Sequence, residues 1–245
     1  MTTLFISDLH LSEERPEKLV LFFRFLNGPA RQADALYILG DFFEAWVGDD
    51  YCNDPIPQIL SEMSKLSASG VKIFLMHGNR DFLIGEAFEA SSGATLLPDP
   101  SVIDLYGVKT LLMHGDLLCT QDVEYLNFRK MVRDPDWQQG FLTKPIAERL
   151  MMAQQLRAAS KEAMKDKVPV IMDAAQEAVE EFMRRHDVLN LIHGHTHRPA
   201  VHKFELDGTT AARTVLGDWY QNENVLICDH NGQHMASIES TLNPE

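Results

Sequence analysis

Cysteine is scarce in this 245-residue sequence: Cys52, Cys119 and Cys228 stand far apart and form no C-x-x-C pair. That excludes a disulfide-stapled framework and a thiolate zinc ribbon, and it fits the reduced thiols of a cytosolic protein. Long apolar runs are missing as well. No stretch approaches the ~20 residues of a membrane span. The start, M-T-T-L-F-I-S-D, has no basic segment leading into a long apolar one, so no secretory leader is expected and the chain reads as soluble or peripheral. Basic charge is short: 22 Lys/Arg face 36 Asp/Glu, for a net charge of −14. Broad nucleic-acid binding, which relies on basic surface, is thereby disfavoured. An anionic small substrate is not, because a bound metal reverses the local field. Internal repeats and low-complexity tracts are absent.

What is present is a regular alternation. The apolar runs T-L-F-I-S (3–7), A-L-Y-I-L-G (35–40), V-K-I-F-L-M-H (71–77), T-L-L-M-H (110–114) and V-L-N-L-I-H (188–193) read as strands buried on both faces. Between them lie helical patterns, such as Leu19, Phe22, Phe23 and Leu26. The pattern predicts a single α/β domain over residues 1–245 with layered sheets. Shorter strand-like pieces, V-H-K-F-E-L, A-R-T-V-L-G, V-L-I-C-D and H-M-A-S-I, fill the last sixty or so residues.

Residues 121–167 depart from this alternation. Leu142, Ile146, Leu150, Met152 and Leu156 recur at helical spacing, and from Lys144 to Lys167 six Lys/Arg accompany three Asp/Glu. The segment is expected to be a helical insert with a basic side. On periodicity alone an ordinary amphipathic subdomain with a solvated basic face is the favoured reading, ahead of a lipid-facing one.

Five short motifs follow five of the expected strands: D-L-H (8–10), G-D (40–41), G-N-R-D (78–81), H-G-D (114–116) and H-G-H-T-H (193–197). Each alone is weak: a G-D is commonly a turn or a helix cap, and a D-x-H an Asp–His hydrogen bond. In open α/β sheets, however, sites form at the carboxyl ends of strands, so five such loops can converge. Carboxylate, imidazole and amide oxygen donors suit two borderline divalent cations such as Mn, Fe or Zn. Asp41 can bridge two ions through its two oxygens. His195 and His197, two apart, can serve one ion each.

In this order the motifs resemble the calcineurin-like metallophosphoesterase superfamily. The resemblance implies a sandwich of two mixed β-sheets flanked by helices, with a dinuclear centre between loops and a helical lid insert at about 121–167. It implies one metal on Asp8, His10, Asp41 and His197, and the other on Asp41, Asn79, His114 and His195. It also implies catalysis by metal-activated water attacking phosphorus in line with the leaving group.

Where much of that superfamily has His after the Asn, this chain has Arg80. Arginine holds its proton at any ordinary pH and clamps phosphate oxygens in a fork. An alkoxide leaving group needs a proton, whereas a phosphate does not, its second pKa being about 6. Arg80 therefore points to a diphosphate bond. A surface Arg80 paired with Asp81 is the plainer alternative, and Asp81 is expected to cap a helix beginning F-L-I-G.

The longer matches, L-Y-I-L-G-D-F-F-E-A-W-V-G-D-D (36–50), H-G-N-R-D-F-L-I-G (77–85), L-M-H-G-D-L-L-C-T (112–120) and L-I-H-G-H-T-H-R-P-A (191–200), resemble the UDP-2,3-diacylglucosamine hydrolases of lipid A biosynthesis. That likeness implies hydrolysis of UDP-2,3-diacylglucosamine to UMP and 2,3-diacylglucosamine 1-phosphate, by attack on the α phosphorus, with two Mn2+. It implies catalytic roles for Asp41, Asn79, Arg80, His114 and His195. Substrate contacts would come from Asn79, Arg80, Asp122, Ser160, Lys167 and His195, and from Met164 through backbone or apolar contact, since relatives often carry a polar residue there. Trp137, Phe141, Leu142, Ile146 and Met152 become candidates for an acyl groove or a membrane-facing side. A monomer, peripheral on the cytoplasmic face of the inner membrane, follows from the same likeness. A soluble phosphoesterase for another nucleotide diphosphate or phosphodiester, and a non-catalytic scaffold, are the competing readings. His77 and His193 are read as supporting residues and Trp46 and Trp219 as core. His186, His202, His230 and His234 are read as exposed or in loops.

Overall fold

The computed structural model describes residues 1–165 and 173–243, with backbone alone at 161 and 163–165. The chain opens with β1 (Thr2–Ile6), α1 (Pro16–Asn27), β2 (Ala35–Leu39), α2 (Ile56–Ala68), β3 (Lys72–Met76), α3 (Glu86–Ser92) and β4 (Ala94–Leu97). A hairpin of β5 (Ser101–Leu105) and β6 (Val108–Met113) follows, then three helices, α4 (Val123–Val132), α5 (Pro135–Leu142) and α6 (Ile146–Lys165). The chain continues through α7 (Gln176–Arg185), β7 (Asn190–His193), β8 (Ala200–Leu206), β9 (Thr209–Val215), β10 (Asn224–Asp229), β11 (Gly232–Ser237) and α8 (Ile238–Leu242).

Two mixed sheets result, in the orders β11-β10-β1-β2-β3-β4 and β5-β6-β7-β9-β8. The strands β1 to β4 run parallel, as do β6, β7 and β9, while the flanking strands are antiparallel. Strand alternation sends side chains to opposite faces, which explains the layering. Phe5, Leu39 and Met76 meet Leu112 and Ile192 between the sheets. Their neighbours Leu4, Ile6, Leu36, Ile38, Ile73 and Leu75 face α1, α2 and α3 on one outside. On the other, Leu111, Met113 and Leu191 pack on Ala178, Val179 and Met183 of α7. The two mixed sheets flanked by helices agree with the expected architecture, and both Trp46 and Trp219 are buried in the first helical layer.

Several expectations need correction. Residues 82–85 do not start a helix. The next helix begins at Glu86, and it is Asp49 that caps it, accepting Ala87 N at 3.0 Å and Phe88 N at 3.1 Å. Asp81 neither caps that helix nor pairs with Arg80. It is fully buried and accepts Gly78 N and Phe42 N, each at 2.7 Å, tying the G-N-R-D loop to the G-D loop. His202, expected to be exposed or in a loop, is exposed on β8.

The insert is helical, with a break between α5 and α6 just before Ile146, and three of its basic side chains, Lys144, Arg149 and Arg157, are paired. Arg149 is only 2% exposed and forks onto Asp50 while donating to Val47 O at 2.5 Å. Arg157 pairs with Glu44 at 2.7 Å and Lys144 with Glu148 at 2.5 Å. Phe141 is buried in the main core, with Trp137 stacked on it, whereas Leu142 is exposed. Among the described residues no helix is long and apolar enough to cross a membrane.

Candidate metal centre and cleft

The parallel strands of both sheets end on the same edge, and their following loops carry the motifs. Asp8 and His10 follow β1, Asp41 follows β2, Asn79 follows β3, His114 follows β6, and His195 and His197 follow β7. The loops are laced to one another: Asp8 N donates to Gly40 O, His10 N to Asp41 O, and Gly194 N to His114 O. Close approach demands glycine here. A Cβ on Gly78 would lie 2.1 Å from Asp41 N, and one on Gly194 would lie 2.4 Å from Asp8 Oδ2. Five of the donors, Asp8, His10, Asp41, His195 and His197, have left-handed backbones, with φ between 48° and 67°. Such conformations cost about 1–3 kcal/mol each, and surrounding structure must hold them.

The donors fall into two groups. Asp8, His10 and His197 lie within ligand distance of one another, and so do Asp8, Asp41 and His114. His197 Nε2 is 3.2 Å from Asp8 Oδ1, and His10 Nε2 is 3.8 Å from Asp41 Oδ2. On the other side, Asn79 Oδ1 sits 3.0 Å from His114 Nε2 and 3.1 Å from His195 Nδ1. His114 gives its Nδ1–H to Leu39 O at 2.9 Å, so a neutral ring turns a lone pair from Nε2 toward the amide oxygen. Buried Asp8 Oδ1 has no hydrogen-bond partner among the described residues. Lone pairs facing lone pairs in a buried site call for a cation.

The electrostatics agree. Burial alone would lower the His114 pKa, but the carboxylates of Asp41, Asp116 and Asp8 raise it to about 9. Burial likewise opposes a charged His197, yet Asp218 and Asp8 raise it to about 10. Without a metal, the site draws protons onto its own ligands. A divalent cation answers the same field, and oxygen and imidazole donors fit it. His195 differs: burial and the neighbouring His114 lower it to about 4.

Around the donors stand residues that the sequence did not single out. Asp218 Oδ2 is 3.1 Å from His197 Nδ1, and Glu44 Oε2 is 3.3 Å from His10 Nδ1. Burial disfavours the Glu44 carboxylate, but His10 and Arg157 bring its pKa down to about 2. Asp116 accepts from Arg129 Nε at 2.7 Å and from the Tyr125 hydroxyl, and the Tyr125 ring stacks beside His195. One signal was available for Asp218: V-L-G-D-W repeats the apolar-run-then-G-D pattern that carries Asp41. Nothing comparable marked Glu44, Tyr125 or Arg129.

Beside the donors lies an open cleft of about 480 Å3, lined by Arg80, Glu44, Arg157, Tyr220, Arg15 and Gln154 among others. Arg80 N donates to Asp41 Oδ1 at 2.8 Å, which fixes its backbone against the centre. Of the other residues expected to hold substrate, Asp122 caps α4 by accepting Tyr125 N at 3.1 Å. Ser160 is exposed on α6, and Met164 lies on the α6 backbone. Lys167 is outside the described residues. His77 Nε2 contacts Ile84 O at 2.7 Å, and burial lowers its pKa; His193 is buried, and burial lowers its pKa to about 3.

Residues 1–199 match the calcineurin-like phosphoesterase family. The chain is 54% identical over 219 residues to a UDP-2,3-diacylglucosamine hydrolase of Chromohalobacter salexigens, covering 89% of each chain. It is 49% identical over 236 residues to that of Azotobacter vinelandii, covering 96% of this chain and 98% of the relative. With that of Stenotrophomonas maltophilia the identity is 48% over 245 residues, covering 97% and 99%.

Proposed function

Since this chain belongs to the UDP-2,3-diacylglucosamine hydrolase family of calcineurin-like phosphoesterases, we propose that it hydrolyses the diphosphate of UDP-2,3-diacylglucosamine to UMP and 2,3-diacylglucosamine 1-phosphate, a step of lipid A biosynthesis. The observation that carries this reading is the pairing of a cation-demanding donor cluster with an adjacent arginine-lined cleft.

Asp8, His10, Asp41 and His197 would hold one metal, and Asp41, Asn79, His114 and His195 the other. Two Mn2+ are the ions we propose, on the oxygen and imidazole donor chemistry. Bound there, they would supply Lewis acidity toward the phosphate oxygens and acidify an attacking water. The chain's own part is to bind and orient. Arg80, on the cleft wall, would clamp the diphosphate, and its fixed charge would offset the charge that develops on the leaving phosphate. It need not donate a proton, because the sugar phosphate leaves as a stable anion. That argument favours attack at the α phosphorus.

The substrate head would also meet Asn79, Asp122, Ser160, Met164, Lys167 and His195. The three insert helices would form a lid over residues 121–167 within one domain. Of the candidates for the acyl groove, Trp137, Ile146 and Met152 are partly buried, which suits an acyl-binding role. A monomer resting on the cytoplasmic face of the inner membrane completes the proposal.

The test is Mn-dependent turnover of UDP-2,3-diacylglucosamine in mixed micelles in ¹⁸O-water. Label in UMP is the expected result. Label in the lipid phosphate would reverse the direction of attack. No cleavage by folded, metal-loaded protein would transfer the reading to a water-soluble nucleotide diphosphate.

A further inference from the structure

A second cavity, of about 220 Å3, opens on the second sheet and shares no lining residue with the cleft at Arg80. Its lining includes Arg213 of β9, Thr196, Arg198, His202 of β8 and Asp173. Arg213 is the unusual member. It is 7% exposed, and its Nε and Nη1 are buried with no hydrogen-bond partner among the described residues. Acidic residues outnumber basic ones 36 to 22 in this chain, yet among the described residues no carboxylate is hydrogen-bonded to it. Asp173, the acid of the cavity, is taken up by Arg198.

Thr196 Oγ1 is buried and equally without a partner. His202 stands directly across from Arg213 in the β8–β9 pairing. A buried guanidinium fork beside a hydroxyl matches the donor pattern that tetrahedral oxyanions accept. Buried charges that persist in proteins are ordinarily paired.

We propose that this cavity is a separate, non-catalytic binding site for a small oxyanion of the phosphate class, held by the Arg213 guanidinium and the Thr196 hydroxyl. Thr196 lies between His195 and His197 in the chain. An anion bridging Thr196 to Arg213 therefore ties the loop of those two histidines to β9.

The probe is inorganic phosphate, set against chloride at matched ionic strength, with hydrogen exchange read on the metal-loaded full chain. Phosphate should slow exchange several-fold in segments 196–201 and 211–215 of the wild type. Arg213→Met should abolish that protection, while any protection near 78–82, from phosphate at the metal centre, persists. Protection at 196–215 that is absent in the wild type, or unchanged in Arg213→Met, would overturn the proposal. Should Arg213→Met fail to fold, Arg213→Lys keeps the charge and loses the fork. It should need about tenfold more phosphate for the same protection, and an unchanged requirement would overturn the proposal as well.

Discussion

The carboxylate of Asp218 stands 3.1 Å from Nδ1 of His197, on the side of the ring away from Asp8. That contact fixes the tautomer. Nδ1 carries the proton toward Asp218, and Nε2 keeps a lone pair for the centre. The other oxygen, Oδ1, accepts Tyr220 N at 3.1 Å and Gln221 N at 2.8 Å, so it is committed to the loop. Asp218→Asn keeps that loop oxygen and places an NH2 opposite Nδ1, which turns the proton to Nε2. Metal affinity should fall about 10–100-fold with the fold intact. Titration of the metal-free protein, followed by calorimetry, measures this.

Asp41 lies between the two donor groups, 3.8 Å from His10 Nε2 through Oδ2 and 3.8 Å from His114 Nε2 through Oδ1. Its left-handed backbone aims one oxygen each way. Asp41→Ala should reduce bound metal below two per chain and lower turnover by at least ~10³-fold, in the range lost with a major electrostatic group. Elemental analysis alongside the rate checks it. Unchanged metal content at unchanged rate would refute the shared-ligand assignment.

The sequence carried the elements whose signals are local. The parallel strands before the motifs are uninterrupted apolar runs, because they are buried on both faces. β4, A-T-L-L, and β5, S-V-I-D-L, went unread, since both are edge strands half open to solvent and lack such runs. The donors were legible because each sits directly after its strand. Their supports were not. Glu44, Asp218 and Tyr125 reach the histidines only through tertiary contacts. Asp49 caps a helix that begins 37 residues later in the chain, at Glu86. Asp81 was misread for the same reason: its neighbours in sequence suggest a helix cap, but its partners are the backbone amides of another loop.

Arg149 is the anchor of the helical insert. It is 2% exposed, and Asp50, which is exposed to water, holds its fork together with Val47 O. Asp50→Ala leaves a buried guanidinium partly unsatisfied. The variant should lose about 1–3 kcal/mol of stability, read as a lower urea midpoint at unchanged slope. Arg149→Met, which removes charge and fork together while keeping much of the volume, should lose less than Asp50→Ala.

The thiols differ sharply in environment. Burial, reinforced by Asp116 and Asp173, pushes the Cys119 thiol up to about 12, and burial with Asp229 does the same to Cys228. Cys52 is exposed. At pH 8 a thiol reagent should modify Cys52 alone in the native protein, and all three cysteines after unfolding. The raised values also set a sign. A folded pKa above the unfolded one adds stability that is fully present below about pH 9 and is lost as pH rises toward 12. Urea midpoints should therefore fall through that window, and less so in Cys119→Ala, once its own cavity cost is subtracted at pH 7.

Arg80 tests the leaving-group argument most directly. Its backbone is fixed by Asp41, and it lines the cleft together with Arg157 and Tyr220. If the leaving group required a proton, a histidine at this position would serve better than an arginine. If it is a phosphate, histidine offers a weaker clamp and an acid with nothing to do. Arg80→His should thus lower kcat/KM on the diphosphate by about 10–100-fold, the value of one charge-assisted hydrogen-bonded contact of about 1.5–3 kcal/mol. The loss should not recover at low pH, where the introduced imidazole is protonated and can act as an acid. A rate that rises as the pH is lowered through the histidine range, toward or above the wild-type value, would mean that protonation of the leaving oxygen limits turnover, and the diphosphate reading of Arg80 would fail.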